Sequence, residues 1–83
     1  MMELREVNYK LARTKLDKFE EEYLVICGDY TYYWTDEYDM ADMFTSVELL
    51  IDVIDKQSVT IDKNNYKYYI VEDIETQNLY DII

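Results

Sequence analysis

Hydrophobic residues near the start of the chain recur at helical spacing. They follow intervals of three to five and predict a helix over residues 3–22. The set consists of Leu4, Val7, Leu11, Leu16, Phe19 and Tyr23. A strand through Val7, Tyr9 and Leu11, followed by a shorter helix capped by Thr14, is the alternative for this segment.

A second helical pattern lies in the middle of the chain. Its apolar residues follow steps of three, one, three, three, one and three, which predicts a helix over residues 40–56 with Asp39 as its N-cap. They are Met40, Met43, Phe44, Val47, Leu50, Ile51 and Ile54.

Between the two helices, residues 23–27 and 30–35 predict a β-hairpin. Both runs are rich in β-branched and aromatic residues, and Gly28-Asp29 between them matches a two-residue type II′ turn. With this turn, Cys27 faces Tyr30, Val25 faces Tyr32 and Tyr23 faces Trp34.

A second hairpin follows the second helix. It is predicted from residues 58–61 and 66–72, around a turn at residues 62–65. Residues 73–83 are compatible with either a short helix or an edge strand. We therefore expect one α+β domain over residues 1–83, with two helices packed on antiparallel hairpins in the order α-β-β-α-β-β.

The acidic residues are concentrated in the middle of the chain. The 83 residues include 19 Asp and Glu against 8 Lys and Arg, so the net charge is −11. Residues 19–55 hold 11 acids and no base, whereas residues 1–18 carry a net charge of +2. Such an acidic chain is repelled by phosphate, which disfavours direct binding to nucleic acid. The acidic segment either meets a basic partner or serves solubility alone.

Catalytic, metal and membrane functions find little support. The chain has no His, which excludes a histidine base and imidazole zinc ligands, and its single Cys cannot form an internal disulfide. The acids at 36–42 lack the central Gly and late Glu of an EF-hand loop. We expect no enzyme, no metal site and no cofactor.

No run reaches the roughly 20 apolar residues of a membrane span, and the N-terminus has no apolar signal segment. We therefore expect a cytoplasmic protein without a membrane partner.

The predicted second helix aligns acids along one side. Positions 42, 45, 48, 52 and 55 are three or four residues apart, and all except Thr45 are acidic. Closely spaced carboxylates resemble nucleic-acid phosphates in charge density, and nearby Tyr and Trp residues are typical interface anchors. The candidate partner-binding residues are Asp36, Glu37, Asp39, Asp42, Glu48, Asp52, Asp55, Tyr32, Trp34 and Tyr38. The alternative interpretation is a solvated helix face beside an aromatic hairpin core.

Three segments carry a resemblance to a known class of proteins. They are Glu22-Tyr23-Leu24-Val25-Ile26-Cys27, Asp36-Glu37-Tyr38-Asp39, and Ser58-Val59-Thr60-Ile61 followed by Asn65-Tyr66-Lys67-Tyr68-Tyr69-Ile70-Val71. Together with the short, heavily acidic chain, they resemble small phage-encoded inhibitors: type II anti-CRISPR proteins and DNA-mimicking inhibitors of restriction enzymes and of uracil-DNA glycosylase.

This resemblance implies a non-enzymatic inhibitor, encoded by a phage or mobile element and acting inside a bacterial host. Its partner is then a basic DNA-binding protein or nuclease, such as a Cas nuclease, whose DNA-binding groove it occupies. The alternative function is a small self-associating interaction domain without mimicry, which forms a homodimer through the aromatic hairpin or the C-terminal tail.

Overall fold

Over residues 3–78 the fold consists of four antiparallel strands, one α-helix and a short 3₁₀ helix. In this computed structural model the backbone is described for residues 3–78 and the side chains for residues 7–72. The strands are β1 (Glu3–Lys15), β2 (Glu21–Gly28), β3 (Thr31–Thr35) and β4 (Tyr66–Asn78), and they form one sheet in the order β3-β2-β1-β4. The 3₁₀ helix spans Tyr38–Met40 and the α-helix, α1, spans Val47–Lys56.

The predicted α-β-β-α-β-β order is wrong, because a strand replaces the first helix. β1 pairs with β4 at thirteen positions, from Glu3 opposite Asn78 to Lys15 opposite Tyr66. The alternative strand through residues 7–11 is confirmed, but a turn and an irregular stretch, rather than a helix, follow β1 at residues 16–20. Pairing with a strand distant in sequence overrides the local helical spacing.

The α-helix begins later than the hydrophobic pattern predicts. The Ser46 hydroxyl accepts a hydrogen bond from the Leu49 N–H at 3.1 Å and caps α1, so Val47 is the first helical residue. Asp39 lies in the 3₁₀ helix, and its predicted role as N-cap is therefore wrong. The predicted end of the helix at Lys56 is confirmed.

The second predicted hairpin is only half formed. Residues 58–61 have no strand structure, while the turn at 62–65 and the strand after it are confirmed. The Asp62 carboxylate accepts a hydrogen bond from the Asn64 N–H at 3.2 Å, which stabilises the turn. Of the ambiguous tail, residues 73–78 continue β4, and residues 79–83 lie outside the described residues.

The β2–β3 hairpin is present, but its register differs by one residue from the prediction. Gly28 pairs with Thr31, and Asp29-Tyr30 forms the turn with Tyr30 at φ 58°. An irregularity between Ile26 and Gly28 absorbs the extra residue. A shift of one residue exchanges the two faces of a strand, so Leu24 faces Trp34 and Ile26 faces Tyr32.

Each face of the sheet carries a hydrophobic cluster. The face that α1 covers, called here the helix face, holds the larger one, whose buried members are Leu11, Leu24, Phe44, Leu50 and Val59. The opposite face holds Ala12, Tyr23 and Ala41, with Tyr38 packed against them. Neighbouring residues of a strand project to opposite faces, which is why Leu11 and Ala12 belong to different clusters.

The chain passes from one face to the other through a gap in the sheet. β1 and β2 pair at only three positions, which end at Ala12 opposite Tyr23. Beyond them the two strands are separated by residues 41–44, called here the crossing segment. Ala41 at its start packs on the opposite face, and Phe44 at its end packs on the helix face.

Hydrogen bonds from the crossing segment satisfy backbone groups of both strands at the gap. On the β2 side, the Asp42 N–H donates to the Leu24 carbonyl at 3.1 Å and the Ile26 N–H donates to the Asp42 carboxylate at 2.6 Å. On the β1 side, Phe44 and Tyr9 exchange two backbone hydrogen bonds of 2.8 Å. Because unpaired buried backbone groups are costly, these bonds hold the separated strands in place.

We predict that Asp42→Ala lowers the free energy of unfolding by about 1–3 kcal/mol, because the Ile26 N–H loses its acceptor. Asp42→Asn keeps an acceptor oxygen and should cost less. Urea denaturation followed by Trp34 fluorescence measures both changes. The control is Asp39→Ala, an exposed site expected to change stability by less than about 0.5 kcal/mol. Equal stability of the Asp42→Ala and Asp39→Ala variants would contradict this role.

Candidate partner-binding surface

The sheet divides the predicted acidic row into two surfaces. Asp36, Glu37 and Asp39 accompany the 3₁₀ helix, which packs on the opposite face through Tyr38. Glu48, Asp52 and Asp55 lie on α1, which packs on the helix face through Leu50. The continuous row along one helix is not formed, because positions 42 and 45 precede α1. Partner binding by these residues stays a prediction.

The acidic surface of α1 consists of Glu48, Asp52 and Asp55, all of which are exposed. The three residues are four and three positions apart, so their side chains lie along one side of the helix. They border an open groove of about 750 Å³ whose apolar lining includes Ile51, which is 57% exposed. This surface therefore combines negative charge with an exposed aliphatic side chain.

Few acids of the middle segment have a cationic partner. Of the 11 acids in residues 19–55, two form ion pairs: Glu22 with Arg13 at 3.0 Å and Asp52 with Lys56 at 2.9 Å. The hydrogen bond to Asp52, with the attraction between the two charges, raises the pKa of Lys56 above its ordinary value. Glu48 and Asp55 on α1 form no ion pair with any described side chain, and the acids beside the 3₁₀ helix form none either.

Two acids of the middle segment are engaged in internal hydrogen bonds. Asp42 is half-buried and accepts a hydrogen bond from the Ile26 N–H, so its carboxylate is used within the fold. Glu21 accepts a 2.5 Å hydrogen bond from the Tyr23 hydroxyl. This bond and one from the Tyr69 hydroxyl lower the pKa of Glu21. Burial, followed by the hydrogen bond to Glu21, raises the pKa of Tyr23.

The three predicted aromatic anchors are used mainly inside the protein. Tyr32 and Trp34 are half-buried against the larger cluster, and the Tyr32 hydroxyl accepts from the Thr60 N–H at 2.9 Å. That interaction with Thr60 lowers the pKa of Tyr32. Tyr38 packs edge to face on Tyr23, with 5.2 Å between the ring centroids. Tyr32 and Trp34 therefore pack as the hairpin-core alternative predicts, whereas Tyr38 packs from the 3₁₀ helix onto the opposite face. Partner binding by the three rings stays a prediction.

Two cations of β1 are also held against aromatic rings. The Arg13 guanidinium lies 4.2 Å from the Trp34 ring centroid and 4.0 Å from that of Tyr66, and it bonds to Glu22. Lys10 is 3% exposed, with its Nζ 3.4 Å from the Tyr38 ring centroid and 3.1 Å from the Tyr38 carbonyl oxygen. These contacts stabilise the cations within the fold.

A second exposed groove, which sequence reasoning missed, lies at the end of β1 and the start of β4. It has a volume of about 450 Å³, and three lysines line it together with apolar side chains. The lining residues are Thr14, Lys15, Leu16, Lys18, Phe19, Lys67 and Tyr69. The signal in the sequence is the mixture of Lys and apolar residues over positions 15–19, which the predicted helix concealed. We call this site the lysine groove.

The described residues contain neither a metal-binding cluster nor a membrane-spanning helix. Within residues 7–72, no three carboxylate or thiol side chains come together as metal ligands. Neither α1 nor the 3₁₀ helix has the length and apolar character needed to cross a bilayer.

Comparison with known protein families, with curated proteins and with solved structures finds no match to this chain.

Proposed function

We propose that this protein is a non-enzymatic inhibitor of a basic DNA-binding protein, such as a bacterial nuclease. In this proposal the acidic surface of α1 occupies the site where the partner binds DNA phosphates. The observation that carries the proposal is that Glu48 and Asp55, on either side of the exposed Ile51, are exposed and form no ion pair within the described part of the chain.

The charge spacing on α1 suits a site that binds phosphates. Side chains three or four residues apart on a helix are separated by about 5–6 Å at Cβ. A DNA strand carries one charge per roughly 3.4 Å of helix axis, so the two charge densities agree within a factor of two. A basic groove that attracts DNA therefore attracts this surface by the same long-range force.

Apolar contact supplies the second part of the interaction. Ile51 projects from the middle of the acidic surface, and the groove beside it continues to Ile54 and Val59. An apolar centre with a charged rim is typical of protein–protein interfaces, in which the centre supplies affinity and the rim supplies orientation and association rate. The partner expected here is accordingly a protein and not a nucleic acid.

Charge reversal on α1 tests the proposal. We expect Glu48→Lys, Asp52→Lys and Asp55→Lys together to weaken binding to a purified Cas nuclease or restriction enzyme at least about 100-fold, because attraction becomes repulsion. The matched control, Asp36→Lys, Glu37→Lys and Asp39→Lys, makes the same change in net charge on the opposite face and should weaken binding less than about threefold.

Surface plasmon resonance with duplex DNA as competitor measures these affinities, and circular dichroism verifies that both variants fold. If both triple variants lose the same affinity, the effect is one of net charge and the α1 site is refuted. If neither variant loses affinity, or if duplex DNA fails to compete with the wild type, mimicry of phosphates is refuted.

The unpaired acids also predict a response of stability to salt. We expect the melting temperature to rise by a few degrees between about 20 and 500 mM NaCl, because salt screens repulsion among the acids. Glu48→Gln with Asp55→Asn should reduce the size of this rise, since it removes part of the repulsion. Differential scanning calorimetry measures the effect. A melting temperature that falls with added NaCl would show that attractive ion pairs dominate the charge interactions.

A further inference from the structure

The lysine groove is held in place by the end of β1, the start of β4 and the connection that follows β1. The Leu16 N–H donates to the Asn65 carbonyl at 3.0 Å, which joins the β1–β2 connection to the turn before β4. The Lys18 N–H donates to the Lys15 carbonyl at 3.0 Å and closes a turn within that connection. A hydrogen bond of 2.9 Å between Thr14 and Tyr69 joins β1 to β4 at the base of the groove. The groove is thus part of the folded framework.

The apolar residues of this groove are unusually exposed. Leu16 is 63% exposed, and Phe19 is as exposed as in an extended chain, at 102%. Lys15, Lys18 and Lys67 surround them and form no ion pair with a described side chain. Asp17 and Glu20 in the same connection reduce the local positive charge without removing it. Exposed apolar side chains within a charged rim mark an interaction site.

The α1 surface is complementary to this groove in charge and in apolar character. The groove presents three ammonium groups around Leu16 and Phe19, and α1 presents three carboxylates around Ile51. One of the carboxylates, that of Asp52, is shared with Lys56. Each surface therefore offers the opposite charge to the other and an apolar side chain that the other's apolar residues can contact.

The two surfaces lie at different ends of the sheet. The groove is beside Glu21, where β2 begins, whereas the Gln57 side chain after α1 accepts a 2.6 Å hydrogen bond from the Tyr30 N–H, beyond the end of β2. They cannot meet within one folded copy, but they can meet between two copies.

We propose that the protein associates head to tail, with the lysine groove of one copy bound to the α1 surface of the next. Such an interface is heterologous, since a pair of copies leaves one lysine groove and one α1 surface available for further copies. Association covers α1 and therefore competes with any basic partner of that surface. The proposal stands independently of the proposed function, because it concerns assembly of the chain alone.

A second copy suits the groove better than a polyanion does. A phosphate backbone neutralises lysines but offers no aliphatic side chain at the position of Phe19, whereas α1 places Ile51 among its acids. The net charge of −11 opposes association at low salt, where repulsion between whole copies is long-ranged. At roughly 0.15 M salt the Debye length falls to about 8 Å. Attraction between adjacent opposite charges across the interface then outweighs the repulsion between whole copies. Association should therefore be strongest at intermediate salt.

Sedimentation velocity with paired charge-reversal variants tests the proposal. The groove variant is Lys15→Glu with Lys18→Glu, and the helix variant is Glu48→Lys with Asp55→Lys. We expect the weight-average mass of the wild type to at least double between micromolar and millimolar protein, while each variant alone stays monomeric. An equimolar mixture of the two variants should recover association, because each now complements the other.

The control is Asp36→Lys with Glu37→Lys, which equals the helix variant in net charge and should associate like the wild type. A wild type that stays monomeric at every salt concentration, or a mixture of variants that fails to associate, overturns the proposal. Binding of the wild type to single-stranded DNA or anionic vesicles that is lost in the groove variant, without self-association, overturns it in favour of a polyanion.

Binding of the groove variant to a nuclease separates this proposal from the proposed function. That variant retains an unaltered α1 surface and should bind the nuclease as tightly as the wild type does. Lost association with retained nuclease binding supports the separate roles of the two surfaces. Lost nuclease binding in the groove variant shows that the lysine groove contacts the nuclease and overturns its assignment to a second copy.

Discussion

The fold depends on how the backbone groups exposed between β1 and β2 are satisfied. The two strands pair at only three positions, and beyond them the crossing segment supplies the missing partners through Asp42 and Phe44. A buried N–H without an acceptor costs more than most single contacts contribute, so the Asp42 carboxylate stabilises the fold at this position. The same segment carries the chain from one face of the sheet to the other, and it thereby places α1.

This crossing also determines how the acidic residues are distributed. Asp36, Glu37 and Asp39 before it accompany the 3₁₀ helix, and Glu48, Asp52 and Asp55 after it lie on α1, with the sheet between them. Two of the β1 cations that could have neutralised them are held internally: Lys10 over Tyr38, and Arg13 between Trp34 and Tyr66. Aromatic residues in this protein thus retain positive charge within the fold and leave the outer acids unpaired.

Much of the local structure can be derived from short stretches of sequence. The turn at residues 62–65, the strand after it, the hairpin near Gly28 and the end of α1 at Lys56 all follow from neighbouring residues. The helical spacing over residues 3–22 predicted a helix where β1 lies, because strand and helix patterns overlap in a short apolar segment. The register of the hairpin was wrong because Tyr30, and not Gly28, adopts the positive φ angle.

By itself, the sequence determined the concentration of acid in residues 19–55, the absence of histidine chemistry and the turn at residues 62–65. The tertiary structure alone decided that β1 pairs with β4 and that the Asp42 carboxylate accepts a hydrogen bond from the Ile26 N–H. It also decided that the acids divide between two faces of the sheet. It also assembled the lysine groove from residues far apart in the chain. The physical reason is that composition and turn chemistry act locally, whereas strand pairing and hydrogen bonding across the gap join residues that only the folded chain brings together.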